Sequence, residues 1–277
     1  MKYLLSILSI LLFGLYLLAE DTDLRFSLMG EADAAISKGE WNIAERRLLE
    51  ALEVSPDDPT NILLLSNLGM VRFNMGKDSL ALETLNQAAD IAPSSVVVLT
   101  NRATVRTALG DMAGAAADYS RVIDIDSTLV SPRFYLAVMA LAEADTVTAR
   151  NHAAHIVAID SECFEAAFIL ARIYTEEGRH DLALPYYNKV IKLDGQPEYY
   201  AARALCYLHL DELNAAADDI ASGLALDSEI AELYLYRAIL NKMRFRPDDA
   251  AVDARRAVEL GLNKSLVEST LGQKITN

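Results

Sequence analysis

Small and aliphatic residues recur along this chain with a long, nearly fixed period. Seven alanines, Ala44, Ala81, Ala115, Ala149, Ala183, Ala216 and Ala250, follow one another at steps of 37, 34, 34, 34, 33 and 34 residues. Twelve residues before each stands another small residue: Ala32, Gly69, Ala103, Ala137, Ala171, Ala204 and Ala238. Ten residues after each stands an aliphatic one: Val54, Ile91, Ile125, Ile159, Leu193, Leu226 and Leu260. A period in this range marks a stacked repeat. Small residues at two fixed positions let two helices approach closely, and the aliphatic is expected to plug the seam to the next unit. The pattern predicts an all-α solenoid of helical hairpins, and nothing reads as a strand.

Repeat two carries Leu65, Leu68, Gly69, Gly76, Ala81, Leu85, Ala88 and Pro93; repeat five carries Leu170, Ala171, Tyr174, Gly178, Ala183 and Tyr187. In these residues the chain resembles the tetratricopeptide repeat (TPR) family, with its W-x2-L-G-x2-Y, A-x3-F, A and P positions. The resemblance covers residues 25 to about 264. It implies a right-handed superhelical solenoid of seven hairpins, with 34-position repeats starting at Arg25, Ile62, Val96, Val130, Phe164, Pro197 and Ala231. Three extra residues follow repeat one and repeat five is one short, so the turns there should differ. Repeat four departs from the motif at Arg133 and Ala153.

Proline and glycine support this register independently. Pro56 and Pro93 fall where the second helix of a hairpin (B) should end, and Pro59 falls in the turn after repeat one. Pro132, Pro197 and Pro247 fall at helix starts, where a missing N–H is tolerated; Pro185 alone falls inside a helix. Gly39, Gly76, Gly110 and Gly178 share position 15, just past the first helix (A), where a left-handed residue ends a helix. Past Gly261, Ser265 and Glu268 have capping-box spacing. They predict a short helix from about Ser265 to Leu271 within a terminal segment, 264–277, that covers the last hydrophobic face.

Residues 1–19 form a separate element. Lys2 precedes an uncharged, mostly apolar run from Tyr3 to Ala19, followed by Glu20, Asp21 and Asp23. A basic start, apolar middle and small end read as an export signal, although Leu17 occupies the place where cleavage favours a small residue. Cleavage is favoured over retention as an anchor; either puts residues 20–277 outside the cytoplasm, in the periplasm or cell envelope.

Charge narrows the partners. The chain carries 40 acidic and 25 basic residues, a formal net charge of −15. Such a surface repels phosphate backbones and anionic headgroups, so nucleic acid and lipid surfaces are disfavoured. Cys163, before repeat five, and Cys206, in helix A of repeat six, belong to different units and are not expected to pair.

Candidate chemistry is sparse. His152 and His155 share a helix face in repeat four, but zinc needs a third protein ligand and none is near in sequence. His180 and His209 read as isolated residues. Asp218–Asp219 and Asp248–Asp249 suit helix starts. No nucleophile context, phosphate loop or C-x-x-C occurs, so neither an enzyme nor a cofactor is expected.

The TPR resemblance implies an inner wall built from helix-A positions 2, 5, 9 and 12. Repeats one and two place Phe26, Met29, Ile36, Leu63, Met70 and Phe73 there, and repeat three Thr100, Thr104 and Thr107. Repeats four and five place Phe134, Val138, Leu141, Phe168 and Arg172, with Glu165 and Thr175. The lysines and asparagines by which some TPR domains clamp carboxylates are missing. The wall suits an apolar partner segment or amphipathic helix, with Lys or Arg flanks attracted by the acidic surroundings. The expected function is a non-enzymatic protein–protein scaffold of the cell envelope; the alternative is an accessory subunit that binds substrate or glycan for an envelope enzyme.

Comparing the repeats with one another reveals a pairing. Where position 7 is arginine, position 23 is aspartate: Arg102 with Asp118, Arg203 with Asp219, Arg237 with Asp253; repeat one inverts the charges as Glu31 with Arg47. This predicts salt bridges between helices A and B of one hairpin.

Overall fold

The structure is a computed structural model that describes residues 21–275. The export segment 1–19 and its cleavage lie outside the described residues. Among those described, every regular element is an α-helix. In chain order they are α1 (residues 21–37), α2 (Trp41–Val54), α3 (Asn61–Asn74), α4 (Asp78–Ile91), α5 (Val96–Ala108), α6 (Met112–Ile125), α7 (Val130–Ala142) and α8 (Thr146–Ile159). They continue with α9 (Phe164–Glu176), α10 (His180–Leu193), α11 (Pro197–His209), α12 (Leu213–Leu226), α13 (Ala231–Met243), α14 (Pro247–Glu259) and α15 (Lys264–Leu271). The first fourteen alternate as the A and B helices of the register read from the sequence. The chain divides into two compact units, one ending at Met139 and the other beginning at Ala140.

Close approach of A to B explains the small residues. Ala32, Ala44, Ala81, Ala103, Ala115, Ala137, Ala149, Ala171, Ala183, Ala204, Ala216, Ala238 and Ala250 are all fully buried. Gly69 shows how little space remains: a Cβ built there would lie 2.5 Å from Leu85 Cγ. In the first unit, Leu28, Leu48, Leu64, Leu68 and Val71 fill the core around these contacts. In the second, Ala204 and Ala216 pack with Ile220, Leu233 and Leu240.

Five of the seven aliphatics at position 30 do not plug the seam, while Val54 packs partly on the first core and Leu260 is half-buried. Ile91, Ile125, Ile159, Leu193 and Leu226 are 43–60% exposed. Each is the last residue of its helix, so it sits at the rim, beyond the contact with the next A helix. One turn earlier, position 27 fills the seam: Ala51, Ala88, Val122, Ile156, Val190 and Ala257 are fully buried. For Ala88 the partner is Val98, position 3 of the following hairpin, whereas Ala257, in the last hairpin, packs with Val267 and Leu271 of α15. Gly223, also at position 27, lies where a Cβ would come within 2.7 Å of Leu233.

The A–B turn is left-handed in all seven repeats. Gly39, Gly76, Gly110 and Gly178 take φ from 71° to 82°, and at the same position Ala144, Asp211 and Phe245 take 59°, 61° and 58°. Glycine adopts this conformation without strain, whereas a Cβ crowds the following carbonyl. Phe245 is the extreme case, with its ring 92% exposed and no packing to offset the strain.

All four position-7/23 pairs form. Arg102 Nη2 lies 2.6 Å from Asp118 Oδ1, Arg203 Nη2 2.6 Å from Asp219 Oδ1, Arg237 Nη2 2.6 Å from Asp253 Oδ1, and Arg47 Nε 2.7 Å from Glu31 Oε2. The three Arg–Asp pairs are two-pronged, with Nε donating to the second oxygen, and their aspartates are buried. A preceding B helix adds a further acceptor: Arg102 Nη1 donates to Asn86 and Arg203 Nη1 to Asn188. The bond to Asp219 holds the Arg203 guanidinium above its ordinary range.

The irregular turn after repeat one has its own anchor. Arg25, buried at the start of the first repeat, bonds Asp58, Thr60 and Asn61. At the other end, Val267 and Leu271 of α15 are fully buried among Leu235, Ala238, Ala250, Ala254 and Ala257. α15 therefore rests on both helices of hairpin seven. The expected capping box is not its cap: Asn263 accepts from Leu266 N at 3.1 Å, and Glu268 instead accepts from Ile275 N. Asn263 is extended while Ser265 is already inside the helix, so only the asparagine side chain reaches a free N–H.

Two stability outcomes are expected. Asp219→Ala leaves the half-buried Arg203 without its carboxylate and with Asn188 alone as acceptor, so it should lower unfolding free energy by about 2 kcal/mol, whereas Glu31→Ala, at the half-exposed pair, should cost clearly less. Equal losses in denaturant titration would contradict the burial argument. Phe245→Gly should stabilise by about 1 kcal/mol by relieving the left-handed strain; a lower melting temperature would show that the phenyl ring contributes packing.

Candidate functional site

The inner-wall residues expected from the sequence fall into distinct environments. In the first unit Phe26 is 64% and Leu63 50% exposed, and Val138 is exposed as well. Met29 and Ile36 pack on the core of that unit, while Met70 and Phe73 are half-buried. Thr100 and Thr104 are half-buried, and the Thr104 hydroxyl donates to the Thr100 carbonyl. Phe134 meets Tyr135 edge-on at 5.9 Å, and Tyr135 stacks on Tyr119 at 4.9 Å. A cavity of about 430 Å³ in this unit is lined by Trp41, Ile43 and Met75 at the first A–B turn, and includes none of the expected wall residues.

The second unit brings three expected residues together. Leu141, Phe168 and Arg172 line one cleft of about 420 Å³, with Thr146, Ile169 and Glu176. Phe168 is positioned by its neighbours: Phe164 stacks on it at 6.1 Å and Tyr199 meets it edge-on at 5.4 Å. Arg172 lies over the Phe168 ring at 5.9 Å and pairs with Glu176 at 3.2 Å. The result is an apolar floor with a rigid aromatic and a charge-balanced edge, suited to a partner side chain rather than to bond-making chemistry.

A second cleft in this unit, of about 460 Å³, was not anticipated. Leu205 and Leu208 of α11, Leu235, Ile239 and Met243 of α13, and Leu266 of α15 line it, with His209, Tyr236 and Thr270. Burial pushes the Tyr236 hydroxyl up to about 12, so it stays protonated. Leu205, Leu208, Leu235 and Ile239 occupy wall positions 9, 12, 5 and 9, so the rule applied to the earlier repeats already contained the signal. The part supplied by α15 was invisible to that rule.

His180 and His209 are not isolated. Their rings stack at 4.2 Å, 4° from parallel, because α10 and α11 are adjacent helices of successive repeats. Burial, then the neighbouring His209, lowers the affinity of His180 for a proton, against a smaller opposing effect of Asp181. Among the described residues no group of three or more His, Cys, Asp or Glu could hold a metal ion. Cys163 and Cys206 are both free thiols, and burial raises the pKa of each.

A tetratricopeptide-repeat profile matches residues 164–197, the span of repeat five. No curated protein matches the chain. Among solved structures, a tetratricopeptide repeat protein from Parabacteroides merdae is similar over 90% of this chain and 98% of its own, at 23% identity and a TM-score of 0.57. YrrB, described as a TPR protein with an unusual peptide-binding site, is similar over 68% of this chain and 98% of its own, at 15% identity and a TM-score of 0.61. MamA is similar over 65% of this chain and 96% of its own, at 17% identity and a TM-score of 0.54. At these identities the likeness is one of fold.

The histidine stack predicts a pH dependence. The unfolded imidazole of His180 takes a proton near 6.5, whereas the folded one does so only at lower pH. The neutral stack therefore contributes its full stability above about 6.5, and this is lost as pH falls through the lower folded value. Melting temperature should fall as pH drops below about 6.5, and less steeply in His180→Gln. Parallel curves for the two proteins would refute a role for the stack.

Proposed function

We propose that this chain, a tetratricopeptide-repeat protein, is a non-enzymatic interaction scaffold of the cell envelope that grips an apolar segment of a partner protein. The observation that carries this reading is the convergence of Leu141, Phe168 and Arg172 on one cleft, with Phe168 held by Phe164 and Tyr199. An aromatic fixed before binding loses little freedom on contact, and such residues dominate binding energy at interfaces. The net charge of −15 favours a partner with Lys or Arg beside its apolar residues. Exposed Phe26 and Leu63 extend the apolar surface of the first unit and give the same partner, or another, a further place to rest. Export rests on the basic start and apolar run of residues 1–19. No helix among the described residues is long and apolar enough to cross a membrane, so an uncleaved residues 1–19 would be the anchor.

Two measurements test the reading. A partner isolated from an envelope extract with the wild-type chain should bind the Phe168→Ala variant at least about tenfold more weakly, with helical circular dichroism unchanged. Undiminished binding would remove the cleft from the interface. Fusing residues 1–40 to a reporter active only outside the cytoplasm should give activity, and loss of residues 3–19 should abolish it. An inactive intact fusion would contradict export.

A further inference from the structure

The cleft between α11, α13 and α15 has a feature that the Leu141–Phe168–Arg172 cleft lacks. On α11, Glu198 precedes Leu205 by seven residues; on α13, Glu232 precedes Ile239 by seven. Seven residues are two helical turns, so each glutamate lies on the same face as its cleft residue, about 10 Å along the axis. Both are exposed, and among the described residues neither is in an ion pair. The equivalent residue in repeat five, Glu165, is followed seven positions later by Arg172, whose charge is balanced by Glu176. Repeats six and seven thus join an apolar trough to two uncompensated carboxylates, side by side on neighbouring helices. Placement in the first turn of a helix accounts for the stability of such glutamates, and it also leaves their outer oxygens open to a ligand.

We propose that this cleft seats the apolar face of an amphipathic partner helix, whose Lys or Arg side chains, two turns from the apolar anchors, are held by Glu198 and Glu232. The proposal rests on the scaffold reading and adds a site and a partner chemistry to it. Leu205, Leu208, Leu235, Ile239, Met243 and Leu266 take the apolar side chains. Successive A helices stand roughly 8–10 Å apart, so on a partner helix lying along them two Lys or Arg side chains within one turn of each other can splay apart to reach both carboxylates. The matching rise of 1.5 Å per residue on either side sets the spacing: anchors and basic residues should be about seven positions apart.

The test is selection of a random 16-residue peptide library on the immobilised full chain, followed by affinity measurements on the enriched peptides. The expected pool shares an apolar cluster with basic residues about seven positions away. These peptides should lose binding to Ile239→Asp, weaken at least about tenfold on the double variant Glu198→Gln/Glu232→Gln, and be unaffected by Phe168→Ala. The control Asp218→Lys/Asp248→Lys, with charge changes on the B helices, should change affinity less than about threefold. Melting curves identify any variant that fails to fold, and the milder Ile239→Ala then replaces it, with partial loss expected. A pool without basic residues, equal weakening by the B-helix control, or binding that survives at Ile239 but is lost with Phe168→Ala would overturn the proposal while leaving the scaffold reading standing. An empty pool would overturn both. If the chain dimerises in light scattering and Ile239→Asp abolishes the dimer, the occupant is a second copy and the proposal fails.

Discussion

Everything in this structure depends on how closely two helices of a hairpin can approach. At repeat positions 8 and 20 only alanine or glycine occurs, and each of the alanines is fully buried. The limit is visible at Gly69, where even one methyl group would meet Leu85 at 2.5 Å. Close-packed interiors resist added volume, so these positions fix the A–B distance in each hairpin. With that distance fixed, position 7 of helix A lies within hydrogen-bonding reach of position 23 of helix B. The Arg–Asp forks can then form at 2.6 Å inside the hairpin.

The same constraint decides what is left for function. Small residues use the side of helix A that faces helix B, so larger residues on its other side are free to build a wall. On helix A of repeat five that wall is organised by aromatic packing: Phe164 and Phe168 pack with one another and with Tyr199 of the next A helix at 5.4–6.1 Å. In repeats six and seven it is aliphatic, and α15 closes one side with Leu266. Two clefts of similar volume but different chemistry therefore arise from one repeated geometry, through substitution at a few outward positions.

Wherever a feature repeats, sequence is a good guide to which positions are constrained. The helical register follows from the alanine spacing, and the left-handed turn from four glycines. The pairing of positions 7 and 23 emerged because one repeat inverts its charges, as Glu31 with Arg47, which position-by-position propensity cannot explain. The position-30 aliphatics misled because periodicity shows that a position is constrained without showing how deep it lies; burial falls to position 27, one turn earlier. Long-range placement was also hidden. The His180–His209 stack joins residues 29 positions apart through two helices of different repeats, and the cleft at α15 needs a helix outside the repeat pattern. The N-cap at Asn263 in place of Ser265 turned on a two-residue shift in where the helix begins, which capping-box spacing alone does not fix.

The central functional claim is that partners are held on the A-helix wall of this scaffold, with the B helices serving the fold. Its most direct measurement is site-specific photo-crosslinking in the intact chain. A photoreactive side chain replaces Leu141, at the cleft shared with Phe168, or Val252, which is exposed on the B helix of the last hairpin. The account predicts that the captured partner cross-links at 141 and not at 252. Cross-linking at 252 with none at 141 would contradict it.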